Sequence, residues 1–270
     1  MSKAGTPLSR LFVMFVVLPL LFIAGIQLFI LSEHTDFYFA WTIAVPLTAA
    51  FMGAGYWAAM LAAYMSLQQA DTAWVRVTGP ASVAATGLLA IATFLHLDKF
   101  HLGSPALLTR FVTWVWIAVY VVTPLVLLGM WISLGRSTYD TMGAHPIPRW
   151  ARFGYIFQAL LTLLAGILLF FTPAKMIPFW PWVLTPLTAR AVSAWLTAYG
   201  LACLAVNREN DLLNTKGARA SLFAFCLLQF VALARYSSSV DWTKPFAWVY
   251  LVVLLVGATV AVPGLLYQSK

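Results

Sequence analysis

The chain has 270 residues, of which 62% are hydrophobic and only 9% charged, far below the roughly 25% charged residues of an average soluble domain. Its 16 basic and 8 acidic residues are too few to coat the one or two water-soluble cores this length implies, so the bilayer is its main solvent. The net charge of +8 does not mark a nucleic-acid surface, because the basic residues sit singly or in small groups at the ends of apolar runs.

A bilayer core about 30 Å thick needs roughly 20 apolar residues in a helix. Stretches near 11–32, 39–66, 79–97, 108–134, 153–172, 182–206, 219–235 and 246–267 meet or approach this. They predict an all-α integral membrane protein with eight transmembrane helices. Unbroken apolar runs exclude a β-barrel, whose strands alternate, and lipid leaves helices as the other way to satisfy the backbone. The first span is followed by Ser32-Glu33-His34-Thr35-Asp36 rather than a small-x-small cleavage pattern, so it reads as a helix and not a secretory signal. A cytoplasmic amino terminus places Lys3, Arg10, Arg76, Arg136, Arg149, Arg152, Arg208, Lys216, Arg219 and Lys270 inside, against Lys99, Arg110, Lys175, Arg235 and Lys244 outside. That excess predicts a multipass protein of the cell membrane with both termini cytoplasmic. The longest connection, from Gly135 to Arg149, leaves no room for a separate soluble domain.

The sequence repeats itself. LLFIAGIQLF at Leu20–Phe29 recurs 141 positions on as LTLLAGILLF at Leu161–Phe170, and Pro46-Leu47-Thr48-Ala49 recurs 140 positions on as Pro186-Leu187-Thr188-Ala189. Ala81-Ser82 and Leu88-Leu89 recur as Ala220-Ser221 and Leu227-Leu228, and Trp114-Val115 as Trp248-Val249. Four ordered matches predict two tandem four-helix repeats, 1–140 and 141–270, parallel because each holds an even number of spans. Pro46 and Pro186 lie inside the second and sixth spans and predict a kink in each, freeing the carbonyls of Thr42 and Trp182. Trp41, Trp114, Trp116, Trp180, Trp182, Trp242 and Trp248 fall together on the outer side as an interfacial belt.

Polar residues are costly in lipid, so their positions carry the information. The inner ones read as orientation signals. On the outer side stand Glu33, His34, Asp36, His96, Asp98, Lys99, His101 and Arg110, with Arg190, Arg235, Asp241 and Lys244 in the second half. Aligning the repeats sets His96 against Arg235 and Arg110 against Lys244. Arg190 lies about ten residues into the sixth span counted from Trp180, roughly 15 Å, and its repeat mate is Ala50. A guanidinium at that depth must face protein or water, and Asp36, Asp98, Asp241 or an anionic ligand could pair with it. The predicted ligand-binding residues are therefore Arg190, Arg235, His96, Asp98, Asp36 and Arg110. His34, His96 and His101 form the alternative of a metal site, which the His-x4-His spacing across a helix end disfavours. Cys203 and Cys226 read as buried thiols. No nucleotide, haem-attachment, zinc-protease or hydrolase motif is present, and the sequence names no cofactor.

The segments TDFYFAWTI at Thr35–Ile43 and FLHLDKFH at Phe94–His101 resemble stretches of an uncharacterised group of bacterial multipass membrane proteins. The resemblance covers the first half best. It implies a prokaryotic cytoplasmic-membrane protein, and since it carries no established activity it transfers no catalytic residue.

Three classes of function follow. In the first, a protein more binding than enzymatic takes or transports a small anionic or lipid-like molecule in an outward pocket between its halves. The second is a membrane redox or enzyme subunit with a His/Asp metal or quinone site. The third is a non-catalytic subunit of a homo-oligomer or membrane complex, packed through small-residue stripes. Arg190 and the unequal polar content of the two halves favour the first.

Overall fold

The computed structural model describes residues 7–68, 73–134, 143–263 and 265. Every regular element among the described residues is a helix, apart from one isolated bridge between Trp41 and Phe100. Among the described residues seven helices are long and apolar enough to cross a bilayer, and the chain is a multipass membrane protein. They are α1 (Arg10–Ile30), α2 (Pro46–Leu67), α3 (Ala73–Leu95), α4 (Leu107–Leu134), α5 (Arg149–Phe171), α6 (Pro186–Glu209) and α7 (Lys216–Arg235). An eighth apolar helix, α8 (Pro245–Ala261), has 17 residues. The junction at 140/141 expected between two halves, with Lys3, Arg136 and Lys270, lies outside the described residues.

Pro46 and Pro186 do not kink spans that run through them; each is the first residue of its helix. Proline is at home there, because the first helical N–H has no intrahelical partner to lose. The residue before a proline is held extended, and Val45 (φ −103°, ψ 109°) and Thr185 (φ −91°, ψ 165°) are so. Thr185 also closes a capping box with Thr188. The stretches ahead of both prolines, expected to be helical, instead form folded-back segments that carry Trp41 and Trp182 into the core, 2% and 1% exposed. The expected tryptophan belt therefore divides. Trp41, Trp116, Trp180 and Trp182 are buried, whereas Trp114 and Trp248 are exposed. The Nε1 of Trp182 donates to Thr48 Oγ1 at 2.9 Å, and that of Trp116 to Thr93 Oγ1 at 3.0 Å.

Helices α2 and α6 are the centre, 61% buried, while α1 and α4 are 17% buried and present their apolar residues outward. α6 packs on α5 and α3; α2 packs on α1 and α7; α3 and α4 pair, as do α7 and α8. The end of the bundle that carries His96 is tied by two alike loop contacts. His101 N donates to Ala40 O at 3.0 Å, and Asp241 N donates to Pro181 O at 2.8 Å. Short turns at Leu97–Lys99 and Ser237–Ser239 follow α3 and α7 in the same way.

Small residues set the closest approach. A Cβ on Gly53 of α2 would stand 2.5 Å from the backbone nitrogen of Phe29 and 2.8 Å from the carbonyl carbon of Leu28. Backbone cannot rotate out of the way as a side chain can. Gly53→Ala is expected to push α1 off α2 at a cost of about 1–3 kcal/mol, read as lowered thermal stability in detergent. An unchanged melting temperature would show that α1 is free to move.

Candidate functional site

Of the six residues predicted to bind a ligand, the fold brings two together. His96 terminates α3 as its first non-helical residue, and Arg190 is the fifth residue of α6, the helix on which α3 packs. Arg190 Nη1 stands 2.7 Å from His96 Nε2. Because α6 begins at Pro186, Arg190 lies about 6 Å along the helix, one turn in, rather than the depth implied by a span starting at Trp180.

The electrostatics of this pair are unbalanced. Guanidinium only donates, so the imidazole accepts at Nε2, carries its hydrogen on Nδ1 and is neutral. Burial, and next the charge of Arg190, push the His96 pKa below its ordinary value, against an opposing pull from Asp98. Arg190 Nε is buried with no hydrogen-bond partner among the described residues. The cation also lies near the positive end of the α6 dipole. No carboxylate offsets it: among the described residues the ion pairs are Arg76–Glu209, Asp98–Lys99 and His145–Asp211.

The other predicted residues go elsewhere. Asp98 pairs with Lys99 at 2.9 Å with both side chains 65% exposed. Their mutual hydrogen bond lowers the carboxyl pKa and raises the ammonium pKa. Asp36 and Arg110 are exposed, and Asp241 accepts from Thr243 N and Oγ1. Neither Asp36, Asp98 nor Asp241 therefore neutralises Arg190. Arg235 belongs to a second cluster: Nη1 donates to Phe29 O at 2.5 Å and Nη2 to the Tyr236 hydroxyl at 2.9 Å. That hydroxyl donates to Glu33 Oε1 at 3.2 Å, which leaves the Ser32 hydroxyl, 2.6 Å away, as donor to it. Arg235 is thus engaged in tying α7 to the end of α1. His96 stands immediately before the turn that follows α3, and Tyr236 immediately before the turn that follows α7.

The histidines do not converge on a metal. His34 is exposed. His101 is a loop staple, with Nδ1 3.1 Å from Phe39 O and Nε2 3.0 Å from Thr42 Oγ1. Among the described residues no three His, Cys, Asp or Glu side chains group to hold a metal ion. Cys203 and Cys226 are buried free thiols. They line an internal cavity of about 30 Å³ among α5, α6, α7 and α8, with Thr162, Tyr199 and Tyr250.

Sequence reasoning missed a network at the opposite end. Glu209, Asp211 and Arg219 are 3%, 1% and 0% exposed. Asp211 accepts backbone N–H groups from His145 at 2.8 Å and from Leu213 and Asn214 at 2.9 Å. Arg76 and Arg219, expected as orientation signals, are structural partners here. The one available signal was acid: Glu209 and Asp211 stand among cations where orientation needs none.

No family model, no curated protein and no solved structure matches the chain.

Proposed function

We propose that this is a bacterial cell-membrane protein that binds a small anion, or the anionic head of an amphipath, at the outer ends of α3 and α6 through Arg190 and His96. The observation that carries this reading is the uncompensated guanidinium of Arg190, bonded to a neutral imidazole and holding a buried Nε without a partner. A fork with spare donors, placed where no carboxylate reaches it, suits an oxyanion. The same reading takes α8 as an eighth span, since 17 residues extend about 26 Å, and takes the two halves as parallel repeats with both termini cytoplasmic. Support for the repeat comes from the paired loop contacts, from the prolines opening α2 and α6, and from α2 packing on α7 as α6 packs on α3.

A hydrogen bond to a charged group contributes about 1.5–3 kcal/mol, so Arg190→Gln is expected to weaken anion binding about tenfold or more. Titration of the detergent-purified protein with sulfate, and native mass spectrometry with phosphatidylglycerol, measure this. A monodisperse Arg190→Gln protein that binds both as the wild type does would sink the reading.

A further inference from the structure

We infer that the His96–Arg190 site takes up one proton with its anion, holding an oxyanion of the sulfate or phosphodiester class between the guanidinium and a protonated imidazole. This rests on the anion-site reading above and adds to it a coupling between ligand and pH.

The geometry supplies the coupling. Without an anion, Arg190 Nη1 donates to His96 Nε2 at 2.7 Å, and the imidazole lone pair is used. An oxyanion arriving at Arg190 competes for that donor. As Nη1 turns to the anion, the Nε2 lone pair is left facing another acceptor, which is repulsive unless the ring gains a hydrogen there. A proton from bulk water bound at Nε2 converts the repulsion into a charge-assisted hydrogen bond, and the anion lies between two cations. When the anion leaves, the proton leaves with it and the Arg190 contact re-forms.

The charged groups acting on His96 are Arg190 from α6, and Asp98 and Lys99 from its own turn. Asp98 and Lys99 are paired to each other and exposed to water, so Arg190 and burial decide the balance. They keep the ring neutral while the site is empty. His96 comes from the first half of the sequence and Arg190 from the second. The positions 140 residues from His96 and from Arg190 hold Tyr236 and Ala50, neither of which exchanges a proton near neutral pH. One anion and one proton per chain follow.

The test uses the full chain in neutral detergent, with sulfate as the soluble probe and short-chain phosphatidylglycerol as the lipid probe. Both keep a fixed charge between about pH 5.5 and about pH 7.5, so any change in affinity belongs to the protein. Wild type is expected to bind about tenfold tighter at the lower pH. Calorimetry in buffers of different ionisation heat is expected to show close to one proton taken up per anion. In His96→Gln binding weakens, and what remains no longer varies between the two pH values and takes up no proton. Sulfate binding alone identifies a soluble anion, phosphatidylglycerol binding alone a lipid headgroup, and both the shared oxyanion chemistry; the coupling stands in each case. Wild-type affinity that does not change with pH, or a His96→Gln protein that keeps the slope, overturns the coupling and leaves the anion site intact. Failure of wild type to bind either probe overturns both.

Discussion

Arg219→Ala is expected to cost about 3 kcal/mol or more and to loosen the carboxyl end of α8 from the bundle. Arg219 sits near the start of α7, fully buried, and among the described residues its guanidinium forms no ion pair with a carboxylate. It donates instead to backbone carbonyls of Leu212 at 2.7 Å, Ala261 at 3.3 Å and Pro263, and to Thr215 Oγ1 at 3.0 Å. Ala261 ends α8, and the last carbonyls of any helix lack intrahelical partners. One side chain thus caps α8, holds the turn before α7 and joins the two. Removing it leaves several buried acceptors unmet, and each such group costs about 1–3 kcal/mol. Arg219→Lys is expected to recover only part of the loss, because one ammonium cannot span the same set of carbonyls in a fixed plane. Thermal unfolding in mild detergent gives the magnitude, and protease cleavage after α8 gives the location. A loss below about 1 kcal/mol for Arg219→Ala would mean that water reaches these carbonyls.

The apolar runs made seven of the spans legible because length in a bilayer is a strict requirement. Their beginnings were less so. Pro46 and Pro186 give the same string whether they kink a helix or open one, and the apolar segments before them resemble helix by composition. Thr185, three residues ahead of Thr188, was a cap signature in the second half; Val45 offered none in the first. At the site, scarcity of charge pointed to Arg190 and His96. It could not separate them from Asp36 and Arg110, which are exposed, or from Asp98, which stands in the His96 turn but is paired with Lys99. Pairing across 94 residues is set by how α3 leans on α6. Counting lysines and arginines likewise cannot tell a solvated Arg from one sealed inside a turn, and so gives no sign of the contacts that Arg76 and Arg219 make.

Arg76→Leu is expected to destabilise the fold by about 3–5 kcal/mol, and the double substitution Arg76→Leu/Glu209→Leu to restore most of that loss. Arg76 stands in the first turn of α3 and Glu209 is the last residue of α6, so each charge sits at the end of a helix whose dipole disfavours it. They compensate one another. Nη2 meets Oε1 at 2.8 Å and Nε meets Oε2 at 3.4 Å, a two-point contact between side chains only 9% and 4% exposed. Asn214 Nδ2 adds a third donor to Glu209 at 2.8 Å. Taking away Arg76 alone strands a carboxylate in a place water barely reaches, whereas taking away both charges leaves an apolar contact between α3 and α6. Because these are the helices that carry His96 and Arg190 at their other ends, the pair fixes the lean on which the site depends. The double-mutant cycle measures this directly. Coupling between the two positions should exceed about 1 kcal/mol, and sulfate affinity should fall in the single variants and return in the double. Additive losses would show that the charges act independently, and an unchanged sulfate affinity throughout would show that the two ends of α3 and α6 are not mechanically connected.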